Sequence, residues 1–400
     1  MKRPFLGLHP TILLLAGTHF LVDSYGNIYA PLLPLLIPRL GLSLATAGVL
    51  QMCFQMASSV AQLGFGHAAD RWRPRVLVVA GPFLAVTVLS LIGLATNVWM
   101  LAAVLVCGGL GAAAFHPPAA ALVHRLADRR RKASAMAFHI TLGSIGFSLG
   151  PLLFAPFAGR FGLNWTPLLM APGLVLLAIV VRKIPAIPRL HEHHETGGLA
   201  ALRPHAKPLS LLYAIVVLRT LASLSFATFM PVMLTRRGVS VGAAGAAVAI
   251  YLFSTSLGGF VGGSLADRWG ARRMIIFTLI GAVPFLAAAP NFTGWQFVAI
   301  VSLGGFLLQS TLPVNVTFGQ TLAPISAATV SSLMMGFGWG TAGISVPFVG
   351  MLADRIGIEH ALMTMAGMPL LAAALALPLP SSVTPAHGTR AAEVAGVEPE

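Results

Sequence analysis

The chain repeats itself at long range. The pattern Gly-Xaa-Xaa-Xaa-Asp-Arg-Trp occurs at Gly66 to Trp72 and again at Gly263 to Trp269, 197 residues later, each time directly after a long apolar segment. Pro34 and Pro231, Gly41 and Gly238, Ser43 and Ser240, and Arg75 and Arg272 keep the same offset. One such match arises by accident; a shared register does not, so the chain reads as two related halves. What each half can be is limited by its solvent. With 56% hydrophobic residues, 9% charged residues and a mean hydropathy of +0.85, 400 residues cannot clothe themselves in a water-facing surface.

Apolar blocks of about 20 residues, enough to cross a ~30 Å hydrocarbon layer as helix, fall at 11–37, 45–68, 76–95, 99–122, 133–158, 165–181, 209–235, 242–266, 274–289, 295–322, 328–353 and 361–378. In lipid the backbone must satisfy its own hydrogen bonds, so these blocks are helices. The expected fold is an all-α membrane protein with twelve transmembrane helices in two pseudo-symmetric six-helix bundles, residues 1–184 and 209–380. Between them, 185–208 is polar and reads as a solvated linker; 381–400 is polar, rich in Pro and Ala, and reads as a disordered tail. The first block follows Lys2 and Arg3 but is too long for a secretion signal and contains His19 and Asp23.

An even number of spans puts both termini on one side, and the basic residues say which. Of the 25 Lys and Arg residues, nineteen fall on the side of the termini, and five (Arg39, Arg160, Arg236, Arg237 and Arg355) fall on the other. Both termini are therefore expected in the cytoplasm, with the protein in a bacterial inner membrane. The formal charge of +14 is thereby explained as an orientation signal, with membrane lipid as its partner and no nucleic acid required. Cys53 and Cys107 lie inside spans and read as small packing residues rather than a disulfide or zinc framework. The linker run His191, Glu192, His193, His194, Glu195 has metal-binding residue types, but a flexible polar linker accounts for it, and neither metal nor cofactor is expected. No HExxH, GxSxG or Walker pattern is present, which argues against a membrane-embedded enzyme.

In the repeated loop pattern, Gly at a helix end admits a neighbouring helix, Asp meets another helix N-terminus, and the Arg residues reach carboxylates or lipid phosphates. The pattern resembles motif A of the major facilitator superfamily, placed in the loops after helices two and eight. That resemblance implies a conformational gate at Gly66, Asp70 and Arg71, and at Gly263, Asp267, Arg268 and Arg272. The first copy departs from the motif, with Arg73 and Pro74 after Trp72. In the fifth span, Gly146, Gly150 and Pro151 resemble the core of motif C of the superfamily's proton antiporters, a helix-packing motif; Phe154 and Ala155 replace its closing Gly pair. Over nearly the whole chain except linker and tail, the sequence resembles the fosmidomycin-resistance branch of efflux proteins. The likeness is carried by His19-Phe-Leu-Val-Asp23, Phe115-His116-Pro117, Ser148-Leu-Gly-Pro-Leu-Leu153 and Gly350-Met-Leu-Ala-Asp354. Pro118 and Ala119 stand where such proteins often carry an acid, so the drug is not carried over with the fold.

Eleven acids are present, and all but Asp23 map to loops, helix ends, linker or tail. Asp23 lies about eleven residues, roughly 16 Å, into its helix. Charge at such depth costs about 2.5–3.5 kcal/mol on insertion scales, so it faces a cavity or a partner. Asp23 is the proton-site candidate, against a structural helix-to-helix bond. His19, four residues earlier, shares its face, and His116 and His139 are the further candidates for proton transfer. Arg219 is the one basic residue inside a span, and the repeat offset aligns it with Val22, next to Asp23. It either binds an anionic group of the substrate or is the structural partner of a carboxylate or helix end. Gln309 and Asn315 on the tenth span and Phe115 on the fourth are the other substrate-binding candidates, with helix-to-helix bonding and packing as the alternatives.

The expected function is a proton-coupled secondary transporter without enzymatic activity, an efflux antiporter for a small amphipathic or anionic compound. Uptake of an organic anion by proton symport is the alternative, and a non-transporting membrane receptor is the alternative of another class. In the expected mechanism, protonation of Asp23 weakens its attraction to a cation such as Arg219.

Overall fold

The computed structural model describes residues 8–62, 64–66, 74–128, 131–184, 199–323 and 326–380. Twelve helical segments in it are long and apolar enough to cross a membrane: α1 (Pro10–Leu40), α2 (Leu44–Gly66), α3 (Arg75–Leu94), α4 (Val98–Leu126), α5 (Ser134–Phe161), α6 (Leu163–Lys183), α7 (Leu202–Arg236), α8 (Val241–Trp269), α9 (Ala271–Asn291), α10 (Gly294–Leu322), α11 (Thr329–Ile356) and α12 (Ile358–Ala376). They match the expected spans one for one. The linker run 191–195 and the tail 381–400 lie outside the described residues.

The turns explain why certain residues recur at the 197-residue offset. Gly41 (φ 62°) and Gly238 (φ 84°) adopt the left-handed backbone after α1 and α7, where a side chain would be strained. Beyond each, an amide reaches back to the helix, Leu42 to Ile37 at 3.0 Å and Val239 to Leu234 at 3.1 Å. Two residues past each glycine a serine opens the next helix: Ser43 Oγ accepts from the Thr46 amide at 3.0 Å, and Ser240 Oγ from the Ala243 amide at 3.3 Å. The repeated Gly-x-Ser is thus one tight turn made twice.

Packing follows the same symmetry. In the first bundle α1 packs on α5, α2 on α4, α3 on α4 and α3 on α6; in the second the corresponding pairs are α7 on α11, α8 on α10, α9 on α10 and α9 on α12. Trp99, Phe260 and Phe348 are among the large apolar side chains left outward, as the lipid-facing surface of a membrane protein requires.

The two bundles meet along α2 with α11 and α5 with α8. Small residues set the separation. A Cβ on Gly48 would stand 2.8 Å from Pro347 Cα, one on Gly343 would stand 2.7 Å from Gln55, and one on Gly245 would stand 2.8 Å from the Pro151 carbonyl. Most of this seam lies toward the side opposite the termini, here the far side; the side of the termini is the near side.

Several helices are not continuous rods. α1 is interrupted at Asn27 and Ile28, between helical stretches Pro10–Gly26 and Tyr29–Leu40. α10 breaks at Ser310, between Gly294–Gln309 and Thr311–Leu322. α11 contains a π-helical stretch at Ser332–Phe337. Pro31 and Pro313, each three residues beyond its break, have no N–H to return to the preceding turn.

Candidate functional site

Asp23 lies in the last full turn of α1 before its interruption, about thirteen residues, roughly 20 Å, from the helix start. A row of glycines on α5 determines what it meets. A Cβ on Gly143 would stand 2.5 Å from the His19 ring; one on Gly146 or Gly150 would run into the carbonyl of Phe20 or Ser24. Without them α1 lies close enough to α5 for side chains to bond across. Ser24 Oγ shares its hydrogen between the Phe20 carbonyl of its own helix at 2.7 Å and the Gly146 carbonyl at 3.1 Å, and Asn27 Nδ2 donates to the Phe147 carbonyl at 2.9 Å. His19 Nδ1 is 2.9 Å from the His139 carbonyl. Pro151, the third residue of the expected packing motif, turns its carbonyl toward Gly245 of α8.

The result is a cluster of titratable side chains. His19 Nε2 is 3.2 Å from Asp23 Oδ2, and His116 Nε2 of α4 is 3.5 Å from Asp23 Oδ1. The rings of His19 and His139 are 4.3 Å apart between centroids and those of His19 and His116 5.0 Å apart. Phe115 closes the group, 5.9 Å from His19 and fully buried. His116 precedes Pro117 and Pro118, neither of which can donate to the helix, so the backbone here is already released from regular bonding. His139 is buried, and its Nδ1 has no hydrogen-bond partner.

The tautomer of His19 follows from its partners. A carbonyl oxygen only accepts, so Nδ1 carries the hydrogen in the bond to His139. The neutral imidazole then presents a lone pair at Nε2, and an ionised Asp23 facing it is also only an acceptor. Two acceptors 3.2 Å apart need a proton between them, either on His19 as imidazolium or on Asp23 as carboxylic acid. His19, Asp23 and His116 offer ligand atoms within 4.8 Å of one another, a spacing a divalent ion would also accept, but a shared proton satisfies the contacts observed.

Arg219 sits on α7, fully buried, as far from the end of its helix as Asp23 is from the end of α1. Its guanidinium donates through Nη1 to Gln309 Oε1 at the break in α10 and through Nη2 to Thr220 Oγ1 at 3.1 Å; Nε has no partner. Among the described residues no carboxylate pairs with it. Asp23 and Arg219 therefore do not form an ion pair here: the acid is held by histidines of its own bundle, the cation by neutral groups of the other. Asn315, five residues past the break, is fully buried with neither amide atom hydrogen-bonded. Of the four expected substrate-binding residues, Arg219 and Gln309 come together, Asn315 stands further along α10, and Phe115 belongs to the histidine cluster.

The expected gate residues divide. Asp70 and Arg71 lie outside the described residues; Gly66 stands near Pro117 at the near end of α2. In the second copy, Gly263 has open space around it, and Asp267 and Arg268 are exposed. Arg272 lines a cavity of about 570 Å³ with Trp269, Arg273, Ile276 and Phe277. Among the described residues Asp267 makes no ion pair.

Four residues that carry this geometry were not anticipated: Ser24, Asn27, Gly143 and Thr220. Gly143 was open to discovery, since with Gly146 and Gly150 it makes a stripe of small residues along one helix face.

The sequence model of the Major Facilitator Superfamily matches residues 15–240 and 211–399, the second match beginning where the second half of the repeat begins. The chain belongs to the Major Facilitator Superfamily. It is a secondary transporter with a small-molecule substrate and is not an enzyme. Among members of the superfamily, the fosmidomycin resistance protein of Escherichia coli is 28% identical over 88% of this chain and 89% of its own length. The MFS-type transporter YfnC of Bacillus subtilis is 27% identical, with 95% of each chain covered. A solved structure of a bacterial homologue of the human lysosomal transporter Spinster, inward-facing and unoccupied, superposes with a TM-score of 0.78 at 18% identity, covering 92% of this chain and 95% of that one.

Proposed function

We propose that this transporter is a proton-coupled efflux antiporter exchanging protons for a small amphipathic or anionic compound, a fosmidomycin-like drug or metabolite. Asp23, with His19, His116 and His139, is the proton site; Arg219, with Gln309 and Asn315, recognises the anionic group. The near side is cytoplasmic, in keeping with the nineteen basic residues that gather there, and the membrane is the bacterial inner membrane. Residues 1–184 and 209–380 move as the two bundles, joined by the linker 185–208, with 381–400 as the tail. The two Gly-xxx-Asp-Arg loops gate the near side.

The observation that carries the reading is the pair of acceptors at His19 Nε2 and Asp23 Oδ2, 3.2 Å apart. While they share a proton, α1 is tied to α4 and α5. When the proton leaves, the same atoms repel, and the cluster must open or admit another donor. The buried guanidinium without a carboxylate supports the substrate half, because a cation at mid-depth is costly unless something completes it. Its forked donors suit a carboxylate or phosphonate. Efflux rather than uptake rests on the likeness to a protein named for drug resistance.

Asp23→Asn tests the proton half. The amide keeps the shape and donates permanently to His19, mimicking the protonated state. In proteoliposomes it should abolish transport driven by an imposed pH gradient while leaving substrate counterflow; coupling that survives unchanged eliminates Asp23 as the proton site. The direction in which solute moves down the same gradient separates antiport from symport.

A further inference from the structure

The Gly-xxx-Asp-Arg pattern occurs a third time, at Gly350, Asp354 and Arg355, at the end of α11. The two repeated copies lie on the near side; this one lies on the far side, against the first turn of α2 in the other bundle. Asp354 Oδ1 accepts the amide of Leu44 at 3.0 Å, and Oδ2 accepts the amide of Ala45 at 2.9 Å. A helix start leaves its first amides without acceptors in the helix. Here the amides of Leu44 and Ala45 go to Asp354 and that of Thr46 to Ser43 Oγ at 3.0 Å, after which Ala47 begins the regular helical bonds with one to the Ser43 carbonyl at 3.0 Å. Two of the three capped amides of a first-bundle helix are therefore satisfied from the second bundle. The negative charge also sits at the positive end of the helix dipole.

Gly350 makes the contact possible, since a Cβ there would run into the Leu44 carbonyl and lie 2.8 Å from Ala45 Cα. Among the described residues the symmetry-related seam has no such device. The glycines that end α5 and α11, Gly162 and Gly357 (φ 87° and 88°), with Arg160 and Arg355 before them, align Asp354 with Gly159, which lies against Val241 at the start of α8 and has no carboxylate to offer.

We propose that Asp354 is the gate of the far side, a positioning residue that holds the two bundles together there and must release α2 each time the transporter opens on that side. The proposal requires only that the bundles rock against each other; it depends on neither the substrate nor the coupling ion. Replacing the carboxylate with an amide removes its charge and one of its two acceptors, which shifts the balance toward far-side opening by on the order of tenfold.

The test is a distance measurement across the far side. Nitroxide labels are attached at Thr96→Cys and Thr293→Cys, exposed positions in the loops after α3 and α9, in protein whose native Cys53 and Cys107 have been replaced by serine. Pulsed electron spin resonance in nanodiscs compares this parent with Asp354→Asn and with Ala45→Pro. The second variant removes one donor while keeping the acid, since proline is tolerated in the first turn of a helix. The expected result is a longer-distance population that is minor in the parent and about tenfold enriched in Asp354→Asn, with a smaller gain in Ala45→Pro. Distributions that stay at the parent's in every variant that purifies as a single species, with only a lower melting temperature, would overturn the proposal and leave Asp354 as a helix cap.

Discussion

Gly146→Ala is a small change with a large expected effect, because the added methyl meets backbone rather than a side chain that could rotate away. Its Cβ would lie 2.7 Å from the Phe20 carbonyl carbon and 2.8 Å from Phe20 Cα, and closer still to the carbonyl oxygen. Ordinary contact between carbons needs about 3.5–4.0 Å, so α1 and α5 must part by roughly 1 Å. The bonds from His19 to the His139 carbonyl (2.9 Å), from Ser24 to the Gly146 carbonyl (3.1 Å) and from Asn27 to the Phe147 carbonyl (2.9 Å) would then stretch beyond hydrogen-bonding range. Hydrogen bonds between membrane helices contribute about 0.6 kcal/mol each, and overpacking adds about 1–3 kcal/mol, a total of about 3–5 kcal/mol. Thermal unfolding of the purified protein in detergent measures it, with Gly17→Ala as the control. Gly17 is on α1, the helix that Gly146 receives, with no atom within 4 Å of its added Cβ, so that substitution should be neutral or mildly stabilising. Equal melting temperatures for the two variants would refute the close-packing account of how the Asp23 cluster is assembled.

Other substitutions separate structural from functional roles. Asn315→Leu replaces a buried amide that bonds to nothing with an apolar side chain of similar size. Melting temperature should hold or rise, while affinity for an anionic substrate, measured by ligand-induced thermal shift, falls by about tenfold or more; unchanged affinity removes Asn315 from the site. Arg219→Ala should lose that ligand-induced shift, and Arg219→Lys should recover only part of it, because an ammonium lacks the forked donors. Arg237 joins the far ends of three helices, donating to the Pro290 carbonyl at 2.6 Å, the Phe292 carbonyl at 3.2 Å and Glu359 Oε1 at 3.2 Å. Arg237→Ala should therefore destabilise by about 1–3 kcal/mol, and Glu359→Gln by less, since both carbonyl bonds survive. A larger loss in Glu359→Gln would contradict that ranking.

The helices were legible because hydropathy over about 20 residues is a long, redundant signal, and the duplication was legible because a tight turn needs the same glycine and serine each time. His19 and Asp23 were readable as a pair, being one turn apart. That His139 and His116 join them depends on how close α5 and α4 come, which a local pattern does not state. The expected attraction between Asp23 and Arg219 failed for a geometric reason. The repeat aligns Arg219 with Val22, not Asp23, and one residue turns the side chain by about 100°. Val22 is fully buried within its own bundle, and so is Arg219, whereas Asp23 faces the histidines. The repeat aligns the two residues along their helices but not in direction around them. The breaks in α1 and α10 escaped because both halves of each helix are apolar, and a hydropathy window runs across the interruption. The cap on α2 escaped because Asp354 is more than 300 residues away and on the other bundle.

α5 has two working faces. On one, Gly143, Gly146 and Gly150 receive α1; on the other, Pro151 and Ala155 abut Gly245 of α8, and Ser148 Oγ lies 3.4 Å from Ser256 Oγ. A single rod thus serves as wall to the ionisable cluster and as rail to the sliding joint. In a carrier that rocks along this joint, a change of charge at the wall is felt at the rail through one helix diameter of stiff backbone, with no relay of intermediaries between.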